Sequence, residues 1–379
     1  MKLFDVYSLY DLEPTHALGA RVYTADGREI LDFYGGHAVI SIGHSHPHYV
    51  RMIQTQVAKL GFYSNSVENP LQRELADKIG TLAGLSDYQL FLCNSGAEAN
   101  ENALKLASFY NGRNRIIAFR KAFHGRTSAA VNATDSEKIK APINRNYPIT
   151  FVALNDLEAV KNELAKGDVA AVIVEGIQGI GGIYVPDPTF LEALQPLCHA
   201  HDTVLILDEI QSGFGRSGKF FAFQHSEVEP DIISMAKGMG NGFPVGGILI
   251  HPRFAAKKGM LGTTFGGNHL ACAATIAVLD VIERENLLAN ATEVGEWLKA
   301  ELRATGLFTE VRGHGLMLGL QLDIPAAPLR KQLLFEHHVF TGSAADPNTI
   351  RLLPPLTISR SECHTLITAL KAVLTKTPA

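Results

Sequence analysis

The sequence predicts an α/β fold with a mostly parallel sheet in a large domain, joined to a smaller α+β domain. Short, continuous apolar runs alternate with helical patterns through the first 270 residues, and helical patterns dominate after that point. Continuous apolar strands separated by helices are typical of a parallel sheet covered on both faces. A length of 379 residues, with 46% hydrophobic and 19% charged residues, is sufficient for one large core and a second, smaller one.

Six runs of β-branched and aliphatic residues predict the strands of the large domain. Most of these runs are too short for a helix, and turn-forming residues bound them. In chain order the predicted strands are Gln89–Cys93, Arg115–Phe119, Val169–Val174, Thr203–Leu207, Asp231–Ser234 and Gly247–Ile250.

After about residue 270, apolar residues at helical spacing predict several helices around a single strand. The helices are predicted at His269–Glu285, Ala291–Ala304, Leu329–Glu336 and Ser361–Leu374, and the strand at Gly315–Leu322. The stretch before His44 is too short and turn-rich to fold alone. We therefore predict that residues 1–43 pack with the small domain, that 44–268 form the large domain and that 269–379 form the small domain.

Composition and charge argue against several classes of function. A formal net charge of −4, with scattered lysines and arginines, provides no basic stripe for nucleic acid phosphates. No apolar run approaches the roughly 20 residues of a membrane span, and the amino terminus lacks an apolar signal core. We expect a cytoplasmic protein without nucleic acid or membrane partners. The cysteines lack Cys-x-x-Cys spacing, which predicts buried thiols rather than disulfides or a zinc site: Cys93, Cys198, Cys272 and Cys363.

Two residues in loops after predicted strands carry the strongest chemical signal. Asp208 ends an apolar run, and Lys237 follows 29 residues later in a glycine-rich loop. Ligands of open α/β sheets bind beyond the carboxyl ends of the strands. A carboxylate for the ring nitrogen and an amine for the aldehyde are what a pyridoxal phosphate enzyme needs. The alternatives are a metal ligand at Asp208, for which no complete ligand set is nearby, and a solvated lysine on a turn.

The environments expected for these two residues explain their chemistry. A buried carboxylate at Asp208 would keep the ring nitrogen protonated, and a cationic ring withdraws electrons from a carbanion. Burial beside that ring would lower the pKa of Lys237, so that its amine acts as nucleophile and proton shuttle at neutral pH.

Two further loops carry groups that suit the same cofactor. Ser95, Gly96 and Ala97 precede or begin a predicted helix, whose free N–H groups and dipole would hold a phosphate; the alternative is an ordinary N-cap. Phe123 could cover one face of a planar ring, and Arg126 could bind a substrate carboxylate with two contacts. The alternative for that pair is a surface turn.

Three patterns suggest other functions on weaker grounds. Gly213–Lys219 matches the glycine and lysine positions of a nucleotide-binding P-loop, but Phe220 replaces the hydroxyl that would bind Mg²⁺. The histidines of His44–His48 suit a structured turn and have no adjacent acidic or thiol partner for a metal. The glycines between 238 and 247 do not form the Gly-x-Gly-x-x-Gly pattern of a nicotinamide enzyme.

Seven motifs in order make the chain resemble the class III pyridoxal phosphate aminotransferases, and within them the acetylornithine and ornithine aminotransferase group. The resemblance covers nearly the whole chain and implies pyridoxal phosphate fold type I, with a mostly parallel seven-stranded sheet. The motifs are Gly43–Pro47, Asn94–Glu98, Phe123–Thr127, Leu207–Gln211, Ala236–Gly238, Gly262–Asn268 and Arg351–Pro355.

The resemblance implies a role for each matching residue. Lys237 would bond to the cofactor aldehyde and carry the proton, and Asp208 would pair with the ring nitrogen. Family members are dimers with the site at the interface, which implies a homodimer in which Thr264 of the partner subunit joins the phosphate site. The other implied cofactor contacts are Ser95, Gly96 and Ala97 at the phosphate, Gln211 at the ring hydroxyl, Phe123 and Ile210 on the ring faces, and Glu175. Arg126 and Arg351 would bind substrate carboxylates.

The implied reaction moves the side-chain amine of N-acetylornithine or N-succinylornithine to 2-oxoglutarate, giving a semialdehyde and glutamate, in arginine biosynthesis. Other transaminases for ω-amines, such as ornithine or 4-aminobutyrate, and pyridoxal phosphate aminomutases would share the cofactor residues. A non-catalytic regulatory protein with the same sheet is an alternative of a different class, for which no motif speaks.

The chain departs from the family pattern in a way that bears on specificity. Relatives usually read Glu-Pro-x-Gln-Gly-Glu where this chain reads Glu175–Ile180, so the second acid is absent. In ornithine aminotransferases that acid pairs with the C-terminal arginine. We therefore expect Arg351 to stay unpaired, which favours a donor with an extra acidic group, such as N-succinylornithine. His269, where relatives commonly have proline, and Gly36–His37 are further departures, to which the sequence assigns no role.

Overall fold

The computed structural model describes residues 1–375, and its strands form two seven-stranded sheets. The first sheet holds β4 to β10, and the second holds the strands before and after them. The strands are β1 (Pro14–Leu18), β2 (Arg21–Thr24), β3 (Glu29–Phe33), β4 (Gln89–Cys93), β5 (Arg115–Phe119), β6 (Ile149–Val152), β7 (Val169–Glu175), β8 (Val204–Asp208), β9 (Ile232–Met235), β10 (Gly246–Ile250), β11 (Glu310–His314), β12 (Met317–Gln321), β13 (Val339–Ser343) and β14 (Thr349–Leu352).

Helices connect the strands and pack against both sheets. Their bounds are α1 (Gly35–Ala38), α2 (Pro47–Lys59), α3 (Pro70–Ala83), α4 (Gly96–Asn111), α5 (Ser128–Asn132), α6 (Leu157–Leu164), α7 (Gly179–Gly182), α8 (Pro188–Ala200), α9 (His269–Arg284), α10 (Leu287–Ala304), α11 (Ala326–His337) and α12 (Arg360–Leu374). Helices α4 and α8 lie on the large sheet, and α10 and α11 lie on the second. Short 3₁₀ turns lie at Glu137–Ile139, Pro142–Asn146, Ala222–His225 and Lys237–Met239.

The large sheet confirms the predicted mostly parallel, seven-stranded architecture. Its order is β4-β10-β9-β8-β7-β5-β6, and only β10 runs antiparallel to its neighbours. Every residue of β7 and β8 is buried, as expected for parallel strands covered on both faces. The register pairs Glu175 with Asp208 and Asp208 with Ser234, so the ends of β7, β8 and β9 lie side by side.

The second sheet combines strands from both ends of the chain. Its order is β1-β2-β3-β13-β14-β12-β11, and β3 pairs with β13 in parallel. Strands from before residue 44 therefore share a sheet with strands from after residue 269. The domain boundaries at 43/44 and 268/269 themselves stay predictions.

The sequence left out part of the second sheet. The predicted strand Gly315–Leu322 corresponds to β12, but the hairpin partner β11 was not predicted. A turn at Gly315–Leu316 joins the two, and Gly315 adopts a left-handed φ of 54°. The strands β1, β2, β3, β13 and β14 were also missed, because each is short and most side chains of β1 and β2 are exposed or half-exposed.

The described residues also bear on the predictions about cysteines and membranes. All four cysteines are buried and free, which confirms buried thiols. Between residues 1 and 375, no helix has both the length and the apolar character required to cross a bilayer.

We predict that Gly295→Ala destabilises the packing of α10 against the β11–β12 hairpin. A Cβ at Gly295 on α10 would lie 2.2 Å from the carbonyl oxygen of Gly315. Alanine adds up to about 1 kcal/mol of helix propensity. Overpacking against rigid backbone costs about 1–3 kcal/mol or more and should outweigh it. The urea midpoint should fall.

The control is Glu301→Ala on the exposed face of the same helix, which should change stability by no more than about 0.5 kcal/mol. An unchanged midpoint for Gly295→Ala would show that α10 does not approach the Gly315 turn this closely.

Candidate active site

Most of the predicted site residues converge on a cavity at the carboxyl ends of the parallel strands, although Ser95, Thr264 and Arg351 are not part of its lining. The cavity has a volume of about 240 Å³. The loops that follow β4, β5, β7, β8 and β9 all contribute to its wall, which is the position expected for a ligand in this type of sheet. It is lined by Gly96, Ala97, Phe123, His124, Gly125, Arg126, Glu175, Ile180, Asp208, Ile210, Gln211 and Lys237.

Asp208 lies at the end of β8 with 3% of its surface exposed. Its Oδ2 is 2.7 Å from His124 Nδ1 and accepts a hydrogen bond of 2.7 Å from Asn100 Nδ2. Its Oδ1 accepts from the backbone N–H of Ile210 at 3.1 Å. These donors stabilise a buried negative charge and fix its direction.

His124 and Asn100 are functional residues that the sequence analysis missed. Asn100 Nδ2 also donates to the His124 carbonyl at 2.7 Å, so the two residues and Asp208 form one buried network. His124 was visible in the Phe-His-Gly-Arg motif and Asn100 in the first turns of the predicted helix. Nothing in the linear sequence places either beside Asp208, because the contacts span 84 and 108 residues.

Lys237 is half-buried and follows Ala236 at the end of β9, in the short 3₁₀ turn Lys237–Met239, where it lines the cavity. Its φ of 50° is left-handed, which is unfavourable for a residue with a Cβ. Burial lowers the pKa of its amine, and the positive charge of Arg351 acts in the same direction against Asp208 and Glu175. The site therefore makes the amine easier to deprotonate, as a nucleophile requires.

The loop predicted to hold the phosphate leads into α4, as the sequence indicated. Ser95 is the N-cap, and its Oγ accepts from the Glu98 N–H at 3.2 Å. Gly96 and Ala97 follow in the first turn, where N–H groups have no partner within the helix, and both line the cavity. A Cβ at Gly96 would lie 2.8 Å from Ile210 Cγ2, so this position requires glycine.

Glu175 joins two of the loops that form the cavity. Its Oε1 accepts from the Phe123 N–H and its Oε2 from the Gly179 N–H, both at 2.9 Å. Burial raises the pKa of Glu175 to about 7, with Asp208 acting in the same direction and His124 opposing it. Phe123 and Ile210, predicted to cover the two ring faces, both line the cavity.

The two predicted substrate arginines occupy different environments. Arg126 is exposed at the junction of this cavity with a second one of about 450 Å³. Arg351 lies on β14 and is fully buried. No carboxylate of the described chain lies within 4.0 Å of Arg351, but its Nη1 donates to Gln211 Oε1 at 3.0 Å and its Nε donates to the Ser343 carbonyl. Arg351 therefore has no acidic partner within the described chain, as expected, but a neutral amide and a carbonyl occupy two of its nitrogens.

The remaining predicted features lie elsewhere. Thr264 is exposed and outside the cavity lining, as would be required of a residue that acts on a partner subunit. The three histidines of the His44–His48 turn bind separate carboxylates, on Asp32, Glu285 and Asp280. In the part of the chain that is described, no group of three metal-binding side chains occurs. The side chain of His269 keeps a buried Nδ1 without a hydrogen-bond partner among the described residues.

Residues 6–374 match the family model described as Aminotransferase class-III. The chain belongs to the class III aminotransferases. The acetylornithine aminotransferase of Bacillus subtilis (strain 168) is 40% identical to this aminotransferase over 380 residues, covering 98% of this chain and 97% of that protein.

Solved structures agree with this assignment. The acetylornithine aminotransferase from Elizabethkingia anophelis matches with a TM-score of 0.86 and 31% identity, covering 98% of this chain and 96% of that one. The ornithine aminotransferase from Toxoplasma gondii ME49 matches with a TM-score of 0.90 and 28% identity, covering 97% and 91% of the two chains. The protein is a pyridoxal phosphate-dependent transaminase of fold type I, as its sequence predicted.

The cavity of this aminotransferase fits the cofactor. Asn100 Oδ1 and His124 Nε2 are buried without a hydrogen-bond partner in residues 1–375. The Lys237 amine likewise forms no hydrogen bond or ion pair there, although a buried ammonium is costly. An aldehyde that bonds to the amine would satisfy Lys237, and a protonated ring nitrogen would meet the Asp208 carboxylate, beside which Asn100 and His124 keep their free polar atoms.

We predict that Lys237→Ala abolishes transamination, because no other amine lines the ring cavity among the described residues. Borohydride reduction of the wild-type holoenzyme should fix the cofactor on the peptide that contains Lys237, and mass spectrometry should identify it. Lys219→Ala, which changes the exposed lysine of the P-loop-like stretch, is the control and should retain activity. Wild-type turnover by Lys237→Ala would refute the assignment.

We predict that His124→Asn lowers kcat/KM by about tenfold to a hundredfold, since a hydrogen bond to a charged group contributes about 1.5–3 kcal/mol. The pH dependence of the holoenzyme's absorbance should shift as well, because Asp208 loses one of its donors. The control is His199→Asn, which removes another histidine–aspartate contact, of 3.1 Å to Asp231. If the absorbance profile does not shift, His124 contributes to packing and not to the charge of Asp208.

Proposed function

We propose that this aminotransferase moves the side-chain amine of an N-acylated ornithine to 2-oxoglutarate, giving the semialdehyde and glutamate, as a step of arginine biosynthesis. The observation that carries the proposal is the position of Arg126, between the ring cavity and the adjoining cavity of about 450 Å³. A donor with a carboxylate and an acyl group needs a cation at this place and room beyond it. The names of the relatives support the same donor class.

Each residue of the ring cavity has a role in the proposed reaction. Bound pyridoxal phosphate supplies an electron sink for negative charge on the substrate carbon. Asp208 would hold a proton on the ring nitrogen. Lys237 Nζ, whose pKa is lowered by burial, would take the proton from the substrate carbon and return it on the cofactor side. Phe123 and Ile210 cover the ring faces and exclude water.

Other residues of the loops anchor the cofactor. Ser95, Gly96 and Ala97 hold the phosphate at the N-terminus of α4. Glu175 fixes the distance between Phe123 and the loop after β7 through its two backbone contacts. Arg126 and Arg351 bind the carboxylates of the two substrates.

We further propose that the enzyme works as a homodimer in the cytoplasm, with Thr264 of the partner subunit completing each phosphate site. Phe62 and Phe265 support the dimer, because their rings lie 5.4 Å apart while 43% and 61% of their surfaces are exposed. Adjacent exposed aromatic rings mark a surface that associates.

The identity of the acyl group is a separate question. The relatives are named for acetylornithine, whereas Ile180 lines both cavities where relatives have an acid, which favours a donor with an additional carboxylate. Transaminases for ornithine or 4-aminobutyrate would share every cofactor contact. Only measurements with different donors separate these possibilities.

We predict that N-acylornithines are better donors than ornithine or 4-aminobutyrate by at least about tenfold in kcat/KM, because only they occupy both Arg126 and the second cavity. N-succinylornithine should exceed N-acetylornithine. The measurement is the loss of the cofactor absorbance band on addition of each donor, followed by steady-state rates with 2-oxoglutarate.

Ile180→Glu and Ile180→Gln form a matched pair for this prediction, since they have the same size and differ in charge. The glutamate variant should lose about tenfold in kcat/KM for the succinyl donor relative to the acetyl donor, and the glutamine variant should not. Equal or better turnover of N-acetylornithine by the wild type would contradict the succinyl preference. Better turnover of ornithine would contradict the proposed function.

A further inference from the structure

Gln211 connects the buried substrate arginine to the ring cavity. Its Oε1 accepts from Arg351 Nη1 at 3.0 Å, and its Nε2 donates to the His37 carbonyl at 3.1 Å. Gln211 lines the ring cavity, whereas Arg351 does not. Of these two residues only Gln211 reaches the cavity wall, so Arg351 contacts the ring cavity through the Gln211 amide.

The position of this amide is fixed from two sides. A Cβ at Gly179 would lie 1.8 Å from Gln211 Oε1, so the amide fills space that only glycine leaves free. The His37 carbonyl belongs to a left-handed turn in which Gly35, Gly36, His37 and Ala38 have φ values of 54°, 56°, 67° and 65°. Such a conformation is costly for His37 and Ala38 and persists only where the surroundings require it. The contact with Gln211 is one such requirement.

The charge of Arg351 is poorly compensated. The side chain is fully buried, and its Nη2 has no hydrogen-bond partner within the described chain. Burial lowers the pKa of Arg351 to about 10, although the negative charge of Glu175 opposes the shift. Its side-chain partner is a neutral amide, and a neutral acceptor holds a guanidinium less strongly than a carboxylate does.

We propose that Gln211 is the resting partner of Arg351 and that it yields Nη1 to the substrate carboxylate in each half-reaction. The incoming carboxylate takes one hydrogen bond from Nη1 and one from Nη2, while Gln211 keeps its bond to the His37 carbonyl and its place beside the ring. Gln211 thus occupies the substrate's place on Arg351 until a carboxylate arrives, in addition to its proposed contact with the cofactor. This inference rests on the proposed carboxylate-binding role of Arg351.

Two variants of similar length separate this role from cofactor binding. Gln211→Glu offers Arg351 an anionic partner that competes with substrate, whereas Gln211→Met offers no acceptor. The probe is glutarate, the unreactive counterpart of 2-oxoglutarate, titrated calorimetrically into each holoenzyme. We expect Gln211→Glu to raise the Kd for glutarate by about tenfold or more, because an ion pair must first be broken. Gln211→Met should stay within about threefold of the wild type.

The Kd for pyridoxal phosphate, measured on each apoenzyme, provides the second measurement. A parallel loss of glutarate binding in both variants, in proportion to their loss of cofactor affinity, would overturn the proposal, because Gln211 would then act on the cofactor alone. Unchanged glutarate binding by Gln211→Glu would overturn it as well. The two variants can give the expected binding pattern even if the wild-type enzyme does not use N-acylornithines. In that case the Gln211 role stands and the donor assignment is rejected.

Discussion

The rest of the active site depends on the buried carboxylate at the end of β8. Asp208 lies deep in the protein and accepts hydrogen bonds from side chains that the loops after two other strands supply, Asn100 on α4 and His124 after β5. An unpaired buried charge is far more costly than a paired one, so these loops cannot move independently of β8. The parallel register of β7, β8 and β9 then places Glu175 and Lys237 around the same point. The need to satisfy the buried Asp208 carboxylate thereby brings the loops around the cavity together.

Two other buried acids stabilise the loops around Asp208 without entering its network. Glu175 accepts from the N–H groups of Phe123 and Gly179, and Glu209 accepts from those of Ala222 and Phe223. Burial raises the pKa of each to about 7. Each therefore acts as a cross-link between backbone segments whose N–H groups would otherwise be buried without partners. The acids at the carboxyl ends of the strands therefore differ in role. Asp208 lies beside the proposed ring site, whereas Glu175 and Glu209 hold the surrounding backbone in place.

The sequence predicted those parts of the molecule that depend on local pattern. The strands of the large sheet were found to within about one residue, except β6, because fully buried parallel strands are continuous apolar runs. The second sheet was largely missed, since its pairing joins β3 to β13 across some 300 residues of chain and leaves no local signal. Motifs identified Lys237 and Asp208, but the contacts of Asn100, His124 and Gln211 depend on side-chain directions that only the fold determines. Arg351 shows the limit most clearly: the missing acid was read correctly from the sequence, and the neutral amide that replaces it was not.

The two arginines differ in burial, which suits Arg351 to substrate affinity and Arg126 to the choice between substrates. Arg126 is exposed in the single chain, where water competes for its hydrogen bonds and weakens any carboxylate contact. Arg351 is fully buried, so most of its desolvation cost has already been met when the chain folds. In the proposed reaction, a carboxylate that reaches Arg351 gains a charge-assisted contact in a low dielectric, which would contribute strongly to substrate affinity. Arg126, beside the larger open cavity, can then distinguish substrates by what extends past the cofactor. A small amino-group acceptor and a bulkier donor could thus bind the same site, because only the donor would extend into the larger cavity beside Arg126.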